Sequence, residues 1–165
     1  MSLIAAAPPL VRTTPPSDPA PLGTVSAGEW WPTVDLAELP HAMRLEGTIT
    51  PQRLLPAVQE AVATPVGGLA AWAQSRQDEG RANLAAVPAL QIDGESVNVQ
   101  RYRRAVYCHA KANLIERYSD YDTTGRARKD DQEESRETQA EQYRRDATWA
   151  VRDILGNTRL TVELI

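Results

Sequence analysis

Three long segments of this 165-residue chain place their apolar residues at intervals of three and four, which limits what the chain can fold into. These intervals put the apolar side chains on one side of an α-helix, and that side must be buried. The first segment starts at Thr50 and Pro51, suitable N-cap and first helical residues, and runs to about Arg76. Its apolar stripe is Leu55, Val58, Val62, Pro65, Leu69 and Trp72. Pro65 with Gly67–Gly68 predicts a kink or a split near the middle of this helix.

The other two segments predict a third helix from about Glu95 to Tyr121 and a fourth from about Asp130 to Leu155. The stripe of the third helix is Val99, Tyr102, Val106, Ala110, Leu114, Tyr118 and Tyr121. The stripe of the fourth helix, confined to its second half, is Tyr143, Ala147, Ala150, Val151 and Ile154. Gly156 follows as a suitable C′ residue for ending the fourth helix.

A shorter first helix is expected from about Asp35 to Leu45, where Pro40 limits or bends it. The stretch from Glu79 to Ser96, "EGRANLAAVPALQIDGES", is interpreted as a connecting loop. The four helices together predict an all-α, four-helix bundle-like domain over residues 33–156.

Both ends of the chain differ from this helical domain. Residues 1–32 hold seven of the twelve prolines, which predicts an extended Pro-rich arm. In residues 157–165, Leu160, Val162 and Leu164 alternate with Arg159, Thr161 and Glu163. This alternation is typical of a strand, and we expect a short C-terminal β-type tail. Because nothing else in the chain resembles a partner strand, the tail is expected to pair with another subunit.

Composition excludes several classes of protein. The net charge of −4 argues against a protein that wraps nucleic acid, and only Lys111 and Lys129 of the 18 basic residues are lysines. A single cysteine forms no internal disulfide and fits a reducing compartment. The N-terminus has neither the basic start nor the apolar core of a signal peptide, and no apolar run is long enough to span a membrane. We therefore expect a soluble intracellular product.

The residues offer no catalytic apparatus. Cys108 and His109 are adjacent, but consecutive helical residues point about 100° apart, so they are not expected to act as a nucleophile and its base. His41 lies in another helix, and no further histidine or cysteine is present to complete a zinc site. The glycine-containing stretches lack the spacing of a phosphate loop. We predict no enzyme activity and no cofactor.

Two charged clusters are candidate interaction sites. The first is an arginine cluster formed by Arg101, Arg103 and Arg104, which suits either phosphate binding or ion pairing. We favour ion pairing, with acids such as Glu116 and Asp120 or with the acidic helix of a neighbouring subunit. The fourth helix begins with an acidic run that suits either an ordinary solvated face or the lining of a channel that DNA slides through. This run consists of Asp130, Asp131, Glu133, Glu134, Glu137 and Glu141.

Five stretches of the chain resemble a known family of phage proteins. They are "WPTVDLAEL", "MRLEGTITPQRL", "ALQIDGES", "RYRRAVYCHAKANLIERYSDYDTTG" and "YRRDATWAVRDILGNTRLTVELI", and they span about residues 31–165. They resemble the head completion proteins of contractile-tailed temperate phages, of the gene-L (gpL) type. The chain departs from the family pattern at Pro40, Pro56, Pro65 and Gly67–Gly68, which affects the expected shape of the second helix.

This resemblance implies a structural virion protein with a helical connector fold. Such an adaptor binds the portal after DNA packaging, retains the DNA and forms a ring, with dodecamer symmetry, in the head–tail neck where the tail docks. Its implied partners are the portal protein, neighbouring copies of itself and the next neck or tail-completion protein, while packaged DNA only passes through the channel. It would be assembled in the host bacterial cytoplasm. The predicted portal-binding tail is Arg159, Leu160, Thr161, Val162, Glu163, Leu164 and Ile165.

Two other functions have less support in the sequence. A free helical DNA-binding or regulatory protein is supported only by the three arginines and a helix–turn–helix pairing. The negative net charge and scarce lysines count against it. An enzyme that acts on DNA ends would need a metal-binding acid pair, for which we find no supporting arrangement.

Overall fold

The computed structural model describes residues 22–45, 49–119 and 129–157, and these residues are mostly helical. Their α-helices are α1 (Glu38–Ala42), α2 (Pro51–Asp78), α3 (Val97–Ser119) and α4 (Lys129–Leu155). Two short antiparallel hairpins pair β1 (Thr24–Val25) with β2 (Val34–Asp35), and β3 (Gln91–Ile92) with β4 (Glu95–Ser96). A single 3₁₀ turn, Leu84–Ala86, precedes the second hairpin. The predicted helical character is confirmed.

Helix α3 lies at the centre, with α4 along one side and α2 along another. Its predicted stripe is buried at every position for which the side chain is described: Val99, Tyr102, Val106, Ala110 and Leu114. The side chains of Tyr118 and Tyr121 lie outside the described residues. Other large side chains that are fully buried come from α1, α2 and the 3₁₀ turn, and they include Leu39, Leu54, Val58, Leu69 and Leu84.

Helices α3 and α4 run antiparallel with small residues buried between them. Arg104 of α3 pairs with Asp146 of α4, and Glu116, further along α3, pairs with Arg144, earlier in α4. The small buried residues of the two helices are Ala105, Cys108 and Ala112 on α3, and Ala140, Ala147 and Ala150 on α4. Small side chains let two helix axes approach closely, so the pair leaves little room for a larger residue.

The N-terminal hairpin packs on the bundle. Val25 of β1 and Val34 of β2 are buried, and Trp30 in the turn between them belongs to the same core. Its main-chain carbonyl accepts a hydrogen bond from the Leu84 N–H, at 3.0 Å. Residues 22–32, which the sequence assigned to the extended arm, therefore include core positions, and residues 1–21 lie outside the described part.

Three local expectations were wrong. Helix α2 is one uninterrupted element, so the predicted split near Pro65 does not occur, and Pro65 itself is buried in the core. Leu55 is 39% exposed, because the buried face of α2 begins one residue earlier at Leu54 and includes Ala57 and Ala61. The stretch predicted as a plain connecting loop contains the 3₁₀ turn and the β3–β4 hairpin.

Replacing Ala147 with leucine tests the close packing of α3 on α4. The added methylene groups have no space between the helices, so we expect the free energy of unfolding to fall by about 1–3 kcal/mol. Chemical denaturation measures it. The matched control is Ala70→Leu, at an exposed position of α2, which should change stability little. Equal losses in both variants would contradict a close α3–α4 contact.

Candidate functional site

An aromatic cluster joins three parts of the chain near one end of the bundle. Trp31 stacks on Tyr102 of α3, with ring centroids 5.2 Å apart, and Trp30 meets Trp31 edge to face at 4.7 Å. Trp30 also lies 6.2 Å from Trp72 of α2, and its indole N–H donates to the Arg81 carbonyl at 3.1 Å. Burial raises the pKa of Tyr102 to about 12. The cluster fixes the end of α2 and the start of α3 relative to each other.

A cleft of about 410 Å³ opens beside this cluster, where the end of α2, the start of α3 and the end of α4 meet. We call it the α2–α4 cleft. Its apolar walls are Trp72, Val87, Pro88, Leu90, Val97 and Ile154. Leu90 is 68% exposed at the rim, and Ile92 on the adjoining β3–β4 hairpin is 44% exposed. Among the described residues, these two are the large exposed apolar side chains near the cleft.

Polar groups also line the α2–α4 cleft. The polar residues of the lining are Arg76, Asn98, Arg101 and Asp153. Arg76 pairs with Glu79 at 3.0 Å, and Arg101 donates to the Asp153 carbonyl at 3.0 Å. The cleft therefore combines apolar walls with hydrogen-bonding groups, as binding sites for peptides and small molecules do.

The β3–β4 hairpin at the rim of the cleft is firmly attached to α3. Its tight turn has positive φ at Asp93 (52°) and Gly94 (76°), as a type I′ turn requires. The Gln100 side chain donates to the Ile92 carbonyl at 2.9 Å. Arg103 donates two hydrogen bonds to the Glu95 carboxylate, at 2.8 and 3.0 Å. The apolar rim is thus held on a fixed support.

All three arginines of the predicted ion-pairing cluster have acceptors within the chain. Arg103 binds Glu95, and Arg104 lies 3.3 Å from the Asp146 carboxylate while its side chain remains 50% exposed. Arg101 binds the Asp153 carbonyl. Glu116, expected as one of their partners, instead accepts from Arg144. Pairing of these arginines with a neighbouring subunit stays a prediction.

Cys108 and His109 do not form a reactive pair. Burial, assisted by the nearby Asp146 carboxylate, raises the pKa of the Cys108 thiol, so the thiol is protonated near neutral pH. Burial, with a smaller contribution from Arg144, lowers the pKa of His109 and favours the neutral imidazole. A protonated buried thiol is a poor nucleophile. The described residues contain no group of histidine, cysteine and acidic side chains suited to hold a metal ion.

Of the two remaining predicted sites, the acidic run is described only in part and the C-terminal tail is not described. Glu137 and Glu141 of the acidic run are exposed on α4, while the side chains of its four other members lie outside the described residues. The predicted portal-binding tail, Arg159 to Ile165, also lies outside them. Across the described ranges, no helix is both long and apolar enough to cross a membrane.

Comparisons with known proteins agree with the resemblance seen in the sequence. A family described as "Phage head completion protein (GPL)" matches residues 25–165. The head completion/stabilization protein of Escherichia phage P2 is 36% identical over 136 residues, which cover 82% of this chain and 79% of that protein. No solved structure shows a significant match. The chain belongs to the phage head completion protein family, and its role is structural.

Sequence reasoning missed the α2–α4 cleft. The cleft is formed by residues from three segments that are far apart in the chain, so no local pattern marks it. One signal was available: Asp93–Gly94 between short apolar stretches is a strong indication of a hairpin.

The Glu95–Arg103 pair predicts a pH-dependent contribution to stability. The hydrogen bonds from Arg103 lower the pKa of Glu95 below its ordinary value of 4.5. The stabilisation is therefore present above pH 4.5 and disappears as the pH falls through the folded-state pKa. Because both side chains are about one-third exposed and screened by water, Glu95→Gln should cost only about 0.5 kcal/mol at pH 7.

Denaturant titrations at pH 7 and pH 2.5 measure this difference, with Glu60→Gln on the exposed face of α2 as the control. At pH 2.5, Glu95→Gln and the unsubstituted protein should unfold at closely similar denaturant concentrations. A difference that persists unchanged at low pH would show that the carboxylate charge is not its cause.

Proposed function

We propose that this head completion protein is a ring-forming adaptor that binds the portal once the head is filled with DNA. The family match over residues 25–165 is the observation that carries the proposal. The closely packed α3–α4 pair supports it, because an adaptor transmits contacts between partners best when its body is rigid. Copies arranged around the portal axis would make the same heterologous contact with each neighbour, so that the ring closes with the dodecamer symmetry expected of the portal. The ring would retain the DNA and present the surface on which the next neck or tail-completion protein docks.

We propose that neighbouring copies contact each other through the arginine cluster, Arg101, Arg103 and Arg104. Arg104 is half exposed although it lies near Asp146, so part of its guanidinium group remains accessible. The acidic residues Glu137 and Glu141 of a neighbouring α4 are exposed and carry the complementary charge. A rim charge pair of this kind sets the orientation of the two copies more than it adds affinity.

The C-terminal tail, Arg159 to Ile165, is the proposed attachment to the portal. Gly156, with φ of 74°, follows α4, and only Asn157 and Thr158 separate it from the tail in the sequence. A strand added to the edge of a partner's sheet gains affinity from main-chain hydrogen bonds and specificity from alternate side chains. In the tail these alternate residues are Leu160, Val162 and Leu164.

Deleting residues 158–165 should abolish attachment to the portal and leave the helical content unchanged. Co-sedimentation of the purified protein with filled, tailless heads measures attachment, and circular dichroism measures helicity. A sharper pair of variants is Val162→Asp and Thr161→Asp, which add the same charge to opposite faces of the proposed strand. Only Val162→Asp should weaken binding, by roughly tenfold or more, since it places a charge in the buried face. A truncated protein that still co-sediments would refute the tail as the attachment.

The acidic run at the start of α4 is the proposed lining of the DNA channel. The run consists of Asp130, Asp131, Glu133, Glu134, Glu137 and Glu141. Glu137 and Glu141 are exposed on α4 and, being four residues apart, lie on the same face of the helix. A negative wall repels the phosphate backbone, which lets DNA slide past without binding.

Reversing three of these charges tests the lining. Lysines in place of Glu133, Glu134 and Glu137 should slow DNA ejection by roughly tenfold at low salt, and added salt should reduce the effect. Single-particle ejection assays measure the rate. A control with lysines at Glu29, Glu60 and Asp78, which lie outside the acidic run, receives the same change in net charge. Unchanged ejection in the first variant would mean that the run is ordinary solvated surface.

A further inference from the structure

The large apolar side chains that are exposed in the described part of the chain lie in two separate patches. Leu90 and Ile92 lie at the rim of the α2–α4 cleft. Leu55 lies at the start of α2, beside the exposed and uncharged Pro56 and Gln59. We call Leu55, Pro56 and Gln59 the Leu55 patch. Single exposed apolar residues are common on protein surfaces, so each patch needs a second feature that points to a partner.

The second feature of the α2–α4 cleft is its positive charge. Arg76 and Arg101 line the cleft, against one acidic residue, Asp153. Val97 and Asn98, the first residues of α3, also line it and bring the positive end of that helix dipole to the same place. The Nε–H of Arg76 has no acceptor among the described residues. An apolar surface accompanied by carboxylates is therefore complementary to this cleft.

Helices α2 and α4 run in the same direction where they meet. Gly68 of α2 packs beside Val151 of α4. About one turn further along each helix, Trp72 and Ile154 line the α2–α4 cleft. The starts of both helices therefore lie toward the opposite end of the bundle, away from the cleft.

That opposite end carries the Leu55 patch together with exposed carboxylates. At about 1.5 Å per residue, Leu55 lies about 26 Å before Trp72 along α2. Glu137 and Glu141, both exposed, lie about 20–26 Å before Ile154 along α4. Apolar and acidic groups thus occur together at one end of the molecule, and apolar and basic groups at the other.

This distribution suits a second copy of the chain as the occupant of the cleft. A heterologous contact brings the acidic end of one copy to the basic end of the next, and its repetition closes a ring. A contact between two clefts would instead bring Arg76 and Arg101 against the same residues of the second copy, which like-charge repulsion opposes.

We propose that the α2–α4 cleft of one copy receives the Leu55 patch of the next copy in the ring. Leu55 covers Leu90 and the apolar walls of the cleft, while Glu137 and Glu141 approach the arginine cluster. Arg101 belongs both to that cluster and to the cleft lining, so the charged and apolar contacts form one continuous interface. This interface deepens the ring formation proposed above and rests on it.

Disulfide trapping tests whether the two patches meet. In a Cys108→Ala background, one variant carries both Leu55→Cys and Leu90→Cys, and two further variants carry one of these substitutions each. Mild oxidation of the double variant should give a ladder of covalent oligomers well beyond the dimer on non-reducing electrophoresis. A mixture of the two single variants should give at least tenfold more heterodimer than either variant gives homodimer alone. Leu55 and Leu90 are exposed, so their replacement should not impair folding.

A matched pair of cysteines controls for random collisions. Ala70→Cys, at an exposed position of α2 outside the Leu55 patch, replaces Leu55→Cys and should reduce the ladder at least tenfold. Equal ladders from the two pairs would overturn the proposal. A double variant that stops at the dimer would also overturn it, since this outcome indicates a reciprocal two-fold contact rather than a ring contact.

The trapping is carried out both on filled, tailless heads and on the isolated protein at high concentration, where a weak contact is still captured. Co-sedimentation with the heads is measured on the same double variant. Attachment to heads with no ladder in either setting would overturn the interface and leave the portal-binding function intact. A ladder in the isolated protein without attachment to heads would support the interface and count against portal binding. The absence of both would overturn both.

Discussion

The burial of α3 on two sides is the constraint on which the rest of the structure depends. Along one side, small residues such as Ala105 and Cys108 lie between α3 and α4. Along the other, Tyr102 and Val106 belong to the core shared with α2 and the N-terminal hairpin. A helix enclosed in this way places its charged residues around the edges of the contacts, where the arginines find acceptors within the chain. In the described part of the chain, the surfaces that remain for partners include the two ends of the bundle, the exposed faces of α2 and α4, and the edge of α3 that carries Arg104.

Helical periodicity predicted the buried side of α3 well because that side is built from large residues at regular intervals. It predicted α2 less well. Alanine carries little hydrophobic signal, so Ala57 and Ala61 were overlooked as core positions and Leu55 was assigned to the core instead. Pro65 was expected to interrupt α2, but a proline in a long helix is tolerated when tertiary packing outweighs the lost hydrogen bond. The type of the helices and the approximate length of α2, α3 and α4 were therefore predictable, while the phase of α2 was not. Helix α1 (Glu38–Ala42) is shorter than the predicted helix from about Asp35 to Leu45.

The contacts at the candidate sites were also only partly predictable from the sequence. That Arg103 and Arg104 bind acids within reach was predictable from charge. Which acids they bind depends on how the hairpin, α3 and α4 pack together, which local sequence does not determine. Arg103 reaches back to Glu95 in the hairpin, and Arg104 reaches across to Asp146. The α2–α4 cleft forms where three segments that are distant in the sequence meet, so no local pattern predicts it. The Asp93–Gly94 pair predicts only the hairpin at its rim.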